Sequence, residues 1–190
     1  MDKTLSEIVK SFTHLVRDFF IYFISGFVVL LNALVIDYFY YNSSILNVLK
    51  GKELFLVGVI LCYVMGHICM GFYYLLLERT KIHKYIKRRI GFVNKENEEK
   101  QPELYSKKPI LYNYFIERYD NLSLFRWNLS ASFLISFFIN FVYCFKQDYW
   151  QIIFLKLLCL VFALILYLLA LETEKDYINR IEYIDKIKNE

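Results

Sequence analysis

The chain is poor in the residues that interrupt or crosslink a fold. It has two prolines, Pro102 and Pro109, and both lie in one stretch, 93–109. That stretch, VNKENEEKQPELYSKKP, is also dense in charge and reads as a mobile loop. The four cysteines, Cys62, Cys69, Cys144 and Cys159, fall inside or at the edge of apolar runs. They make no disulfide framework and imply no oxidising compartment. A short apolar stretch with a small-residue cleavage site is missing from the beginning, so the first long apolar run is expected to be a retained span rather than a removed signal. No glycine-rich phosphate loop, paired catalytic carboxylates or serine nucleophile motif is present, which leaves no basis for an enzyme or a cofactor.

What the chain does have is apolar and aromatic bulk. Hydrophobic residues make up 57% of it and aromatic residues 19%, with a positive mean hydropathy. A soluble domain of this size rarely has such a composition, whereas a small polytopic membrane protein does. Four runs are long enough to cross a hydrocarbon core of about 30 Å: 19–41, 54–77, 127–145 and 149–171. Before the first, residues 4–19 form an amphipathic helix with Leu5, Ile8, Phe12, Leu15 and Phe19 on one side. Thr4 and Glu7 supply a capping box. This helix is expected to lie among headgroups and lead into the first span. After the fourth span, 172–190 is a charged helical tail. The expected fold is an all-α integral membrane four-helix bundle made of two transmembrane hairpins.

Between the hairpins lies the charged segment 78–126. Its first part, 78–91, is expected to continue the second helix out of the membrane with Ile82, Tyr85, Ile86 and Ile90 on one side, ending at Gly91. Its last part, 110–126, resumes apolar periodicity as a second interfacial helix or elbow. Segments 1–18, 78–126 and 172–190 together hold 19 of the 23 Lys and Arg residues. By the positive-inside rule, both termini and the central segment face the cytoplasm. The expected setting is a bacterial inner membrane, and Trp127 and Trp150 fall at opposite interfaces. The basic run Arg79, Lys81, Lys84, Lys87, Arg88, Arg89 suits anionic lipid headgroups first and a cytoplasmic protein partner second. Nucleic acid ranks last, because the acidic run Glu96, Glu98, Glu99 and Glu103 would oppose a phosphate track.

Several intramembrane groups stand out. Lys156 lies about one third of the way into the fourth span, where a charge costs about 2.5–3.5 kcal/mol on insertion scales. It can snorkel to the headgroups, pair with Asp37 at similar depth, or take part in conduction or sensing. The third span carries Asn128, Ser132, Ser136 and Asn140 at successive i+4 positions, a stripe drifting about 40° per step. Interhelical hydrogen bonding is the preferred reading of it, over a polar pore lining. The small-residue row Gly58, Cys62, Gly66 on the second span is its expected packing partner. A metal reading of Cys62, His67 and Cys69 fails on geometry, since His67 points about 140° away from Cys62 on one helix. His14 and His83 lie in charged helices and are expected to be solvated or interfacial.

The two halves follow one plan of amphipathic helix, span, short turn, span and charged helix. Leu15-Val-Arg17 enters the first span as Leu124-Phe-Arg126 enters the third, which suggests a parallel pseudo-repeat. In size, four spans, minimal outer loops and one cytoplasmic segment, the chain resembles small four-span membrane subunits of bacterial anti-phage defence systems, such as that of the Kiwa system. Accessory membrane proteins of some RNA-targeting CRISPR systems have a similar outline. The resemblance implies a homo-oligomeric membrane component that works with a cytoplasmic effector. The expected function is a non-enzymatic scaffold or sensor that docks a cytoplasmic partner, the alternative being a pore that alters membrane permeability.

Overall fold

The computed structural model describes residues 3–41, 52–89, 118–144 and 150–186, and every described element is helical. Helix α1 spans Lys3–Tyr41. Helix α2 spans Lys52–Phe72 and ends in a π-helical turn, Tyr73–Leu77. Helix α3 is Lys81–Arg89, α4 is Arg118–Cys144 and α5 is Trp150–Lys186. Four of these contain stretches long and apolar enough to cross a membrane: His14–Phe39, Phe55–Leu75, Arg118–Val142 and Trp150–Tyr177. The protein is therefore an all-α, four-span membrane bundle. Helices α1 and α2 form one hairpin, α4 and α5 the other, and α4 is central, packing on α1 and α2 as well as α5.

Length explains the shape of the outer helices. At about 1.5 Å per residue, the 39 residues of α1 reach well beyond a bilayer core. The amphipathic stretch 4–19 and the first span are thus one unbroken helix. The charged tail likewise prolongs α5 without a break as far as Lys186.

Two expectations for the central segment need correction. Residues 78–89 do not continue α2, because the chain turns at Glu78–Thr80 and starts a separate helix. Nor is 118–126 an elbow, since those residues are the first turns of α4 itself. The expected loop 93–109, the stop at Gly91 and residues 110–117 lie outside the described residues.

The stripe Asn128, Ser132, Ser136 and Asn140 is fully buried on the inward face of α4. Its expected partner row on α2 packs elsewhere. A Cβ built on Gly26 of α1 would strike the Cys62 carbonyl, and one on Gly66 would strike the Tyr22 carbonyl. The two backbones of the first hairpin therefore touch, an approach that only glycine permits. Gly58 faces open space and lines an apolar groove of about 360 Å³ beside Phe23, Phe27, Leu31 and Phe55. Cys62 and Gly66 of α2 thus serve the α1 contact, and Cys69 is bonded to Ser132 of the α4 stripe. In the second hairpin, Ser130 Oγ donates to the Ala163 carbonyl at 2.9 Å, and Ala131, Ala163 and Ala170 are buried in the seam. The outward faces expose Phe154, Val161, Leu164 and Leu168, as a lipid-facing surface requires.

Candidate functional site

A polar, ring-lined centre lies among the described residues at the end that carries Arg17, Glu78 and Arg126. It begins with the way α2 ends. The Glu78 amide donates to the Tyr73 carbonyl at 2.9 Å, closing the π turn, and the Thr80 amide donates to Leu77 O at 3.1 Å. Thr80 then serves both helices. Its hydroxyl donates to Leu77 O at 2.8 Å and accepts the His83 amide at 3.2 Å, so it caps α3 at the N3 position. The Thr80 carbonyl accepts the first intrahelical bond of α3, from the Lys84 amide at 3.2 Å. A tight hinge followed by an N-cap turns α3 back against the bundle.

The face that α3 presents inward combines His83 and Lys87 with Ile86, which packs against the core. His83 is 2% exposed, while Ile82 and Tyr85 are 72% and 60% exposed. His83 enters a box of rings: it meets Trp127 edge-on at 5.4 Å, Tyr167 at 5.8 Å and Tyr73 at 6.1 Å. Tyr73 stacks on Trp127 at 4.7 Å. His83 Nδ1 shares a hydrogen bond of 2.8 Å with the Tyr167 hydroxyl, and Nε2 is buried with no partner. Burial, helped by the neighbouring Lys87 ammonium, pushes the imidazole down to about 4, so it is neutral at physiological pH.

One turn along α3, Lys87 Nζ lies 2.6 Å from Glu174 Oε1. The other carboxylate oxygen, Glu174 Oε2, is buried with no hydrogen-bond partner. His83 and Lys87 are four apart on α3, Tyr167 and Glu174 seven apart on α5, and the two pairs meet face to face. Beneath them, Arg126 Nη1 donates to Leu169 O at 3.0 Å and to the Thr173 hydroxyl. Arg180 donates to the Tyr119 hydroxyl at 2.7 Å and lies over that ring at 3.9 Å. These bonds hold α4 and α5 in register below α3.

Sequence-based candidates divide around this centre. Arg79, Lys81 and Lys84 are exposed, whereas Lys87 is half-buried on Glu174. Arg88 and Arg89 belong to α3, but their side chains lie outside the described residues. His83 is a correction, being buried rather than solvated, because the rings of α2, α4 and α5 converge on it. Trp127 is 2% exposed and packs in this core, while Trp150 is 70% exposed. Lys156 holds its ammonium 5.2 Å from the Phe141 ring centroid, and Asp37 is buried. Asn140 is drawn instead to Asn32, donating through Nδ2 to its Oδ1 at 2.9 Å. Asn128 Nδ2 reaches Ile21 O at 3.5 Å, and Ser132 bonds Asn128 O within α4 at 2.8 Å. His67 stacks on Tyr22 at 3.8 Å. Among the described residues, no group of three His, Cys, Asp or Glu side chains is placed to hold a metal ion.

Sequence reasoning missed Tyr73, Tyr167 and Glu174, together with Gly26. The same-face spacings of His83 with Lys87 and Tyr167 with Glu174 were the available signal. No protein-family model, curated protein or solved structure matches this chain.

Proposed function

We propose that this protein is a non-enzymatic membrane scaffold or sensor whose α3 presents a docking surface to a cytoplasmic partner and to anionic lipid headgroups. One observation carries the reading. Helix α3 is clipped to the bundle through His83 and Lys87, and its opposite face offers Lys81, Ile82, Lys84 and Tyr85 to the outside. A basic face interleaved with an aliphatic and an aromatic side chain suits the boundary between headgroups and water. The skew of Lys and Arg supports a cytoplasmic position for α3 and both termini, in what we take to be a bacterial inner membrane. Homo-oligomerisation, and a place in anti-phage defence alongside a cytoplasmic effector, follow from the organisational resemblance described above.

The scaffold is preferred to a pore because the polar stripe of α4 is turned inward, with Asn140 bonded to Asn32 and Asn128 directed at α1. Charge reversal at Arg79, Lys81 and Lys84 together is expected to abolish co-purification of the partner and co-sedimentation with anionic vesicles, with assembly in detergent intact. Ionic currents in reconstituted bilayers that disappear in Asn140→Leu or Lys156→Leu would replace this reading with the pore.

A further inference from the structure

Among its described side chains, α3 meets the bundle through His83 on Tyr167, Lys87 on Glu174 and Ile86 against the core, and the most buried of these is a titratable ring. His83 is 2% exposed, hinged from α2 by the turn Glu78–Thr80, and bonded by one nitrogen to Tyr167. Its other nitrogen is enclosed without a partner. An imidazolium there would need to donate from both nitrogens, and the box provides an acceptor for one. None of the described groups around it bonds Nε2. Tyr73 from the π turn and Tyr167 from α5 are neutral phenols, and Trp127 from α4 does not titrate. Glu174 from α5 gives Oε1 to Lys87 and keeps Oε2 buried without a partner, and Lys87 on α3 itself is a like charge.

We infer that α3 is an acid-released latch: a proton on His83 breaks its fit in the Tyr73–Trp127–Tyr167 box, α3 swings about Glu78–Thr80, and Lys87 joins Arg79, Lys81 and Lys84 on the free basic face. This rests on the docking role given to α3 above and adds its regulation. The direction follows from linkage. A histidine held below its ordinary value near 6.5 contributes docking stability that is complete above that value and is lost as pH falls. The ratio of released to docked α3 should rise about tenfold per pH unit from about 6.5 down toward 4.

The chain has two tryptophans, so Trp150→Phe leaves Trp127, which touches His83, as an intrinsic reporter. Full-length protein in phosphatidylcholine nanodiscs, titrated from about pH 7.5 to about 4.5, is expected to show red-shifted Trp127 emission and increased acrylamide quenching. His83→Gln should abolish the transition. Should that variant expose Trp127 at every pH, His83→Phe, which fills the box without a titrating nitrogen, should give a flat, docked profile. Tyr167→Phe should move the midpoint to higher pH. A flat wild-type profile, or the same transition in His83→Phe, which would assign it to Glu174, overturns the latch. Lys81→Glu/Lys84→Glu separates the two claims. Loss of binding to phosphatidylglycerol vesicles with the transition intact supports both, and loss of the wild-type transition with binding intact removes the latch alone.

Discussion

Single residues in this bundle divide by what their Cβ would meet. Gly26 and Gly66 sit where α1 and α2 touch backbone to backbone, whereas Gly58 faces open space. Gly26→Ala or Gly66→Ala must push the helices apart, an overpacking cost of about 1–3 kcal/mol. Gly58→Ala should change stability by less than about 0.5 kcal/mol. Thermal unfolding of the three variants in one detergent checks this, and equal losses would mean that the hairpin is not held by these glycines. Asn140 poses a different problem. It is fully buried, bonded to Asn32 at 2.9 Å, and such interhelical bonds average about 0.6 kcal/mol in membranes. Asn140→Leu should cost more than that, because it leaves the buried Asn32 amide unsatisfied. The double change Asn32→Leu/Asn140→Leu should recover part of the loss in a double-mutant cycle; strict additivity would show that the two amides act independently. The polarity of both stripes was legible from spacing. Their partners were not, since spacing on one helix does not say which neighbour it faces, and Gly26 drew no notice as an isolated glycine in an apolar run.

At the scale of the element, α3 shows how tertiary context overrides a periodic pattern. The alternation Ile82, Tyr85, Ile86 suggests an apolar inner face, but only Ile86 packs inward, beside His83 and Lys87, while Ile82 and Tyr85 point outward. The surface waiting for α3 is made of phenol, indole and carboxylate groups from Tyr167, Trp127 and Glu174, and it selects the polar side chains that match it. The break before α3 had a visible cause in Thr80, which caps the helix three residues ahead of His83. It was passed over because the apolar run of α2 leads into Glu78–Thr80 with no proline or glycine to mark a stop. Thr80→Ala should remove the cap and the bond to Leu77 O, destabilising α3 by about 0.5–2 kcal/mol. Hydrogen exchange should then quicken at the amides of residues 81–84 while those of α4 stay protected. Unchanged exchange would mean that docking through His83 and Lys87 holds α3 without its cap. The long helices were far more legible, because a run of some twenty apolar residues admits little but a spanning helix.

For the whole molecule, the two hairpins share an order of elements but end differently. Helix α2 breaks at Glu78–Thr80, whereas α5 continues unbroken to Lys186. That asymmetry creates the centre: the straight α5 carries Tyr167 and Glu174 past the point where α2 stops, and the turned-back α3 closes over them. A pseudo-repeat read from Arg17 and Arg126 thus describes the order of elements and misses the feature that distinguishes the halves. Arg17 bonds its neighbour Asp18 at 2.8 Å, whereas Arg126 bridges to Leu169 and Thr173 of the next helix. Orientation remains a matter of charge, and it is testable directly. The cysteines Cys62, Cys69 and Cys159 are buried, so with the fourth removed by Cys144→Ser a thiol reagent should report mainly on engineered positions. Ser11→Cys, Lys81→Cys and Lys175→Cys lie on exposed turns of α1, α3 and α5 at the basic end, and Lys52→Cys begins α2 at the other. With a membrane-impermeant maleimide applied to intact spheroplasts, Lys52→Cys should react and the other three should require lysis. The contrast should be at least about tenfold, given a bilayer that excludes the charged reagent. The reverse pattern would turn α3 away from the cytoplasm and remove the docking role proposed for its basic face.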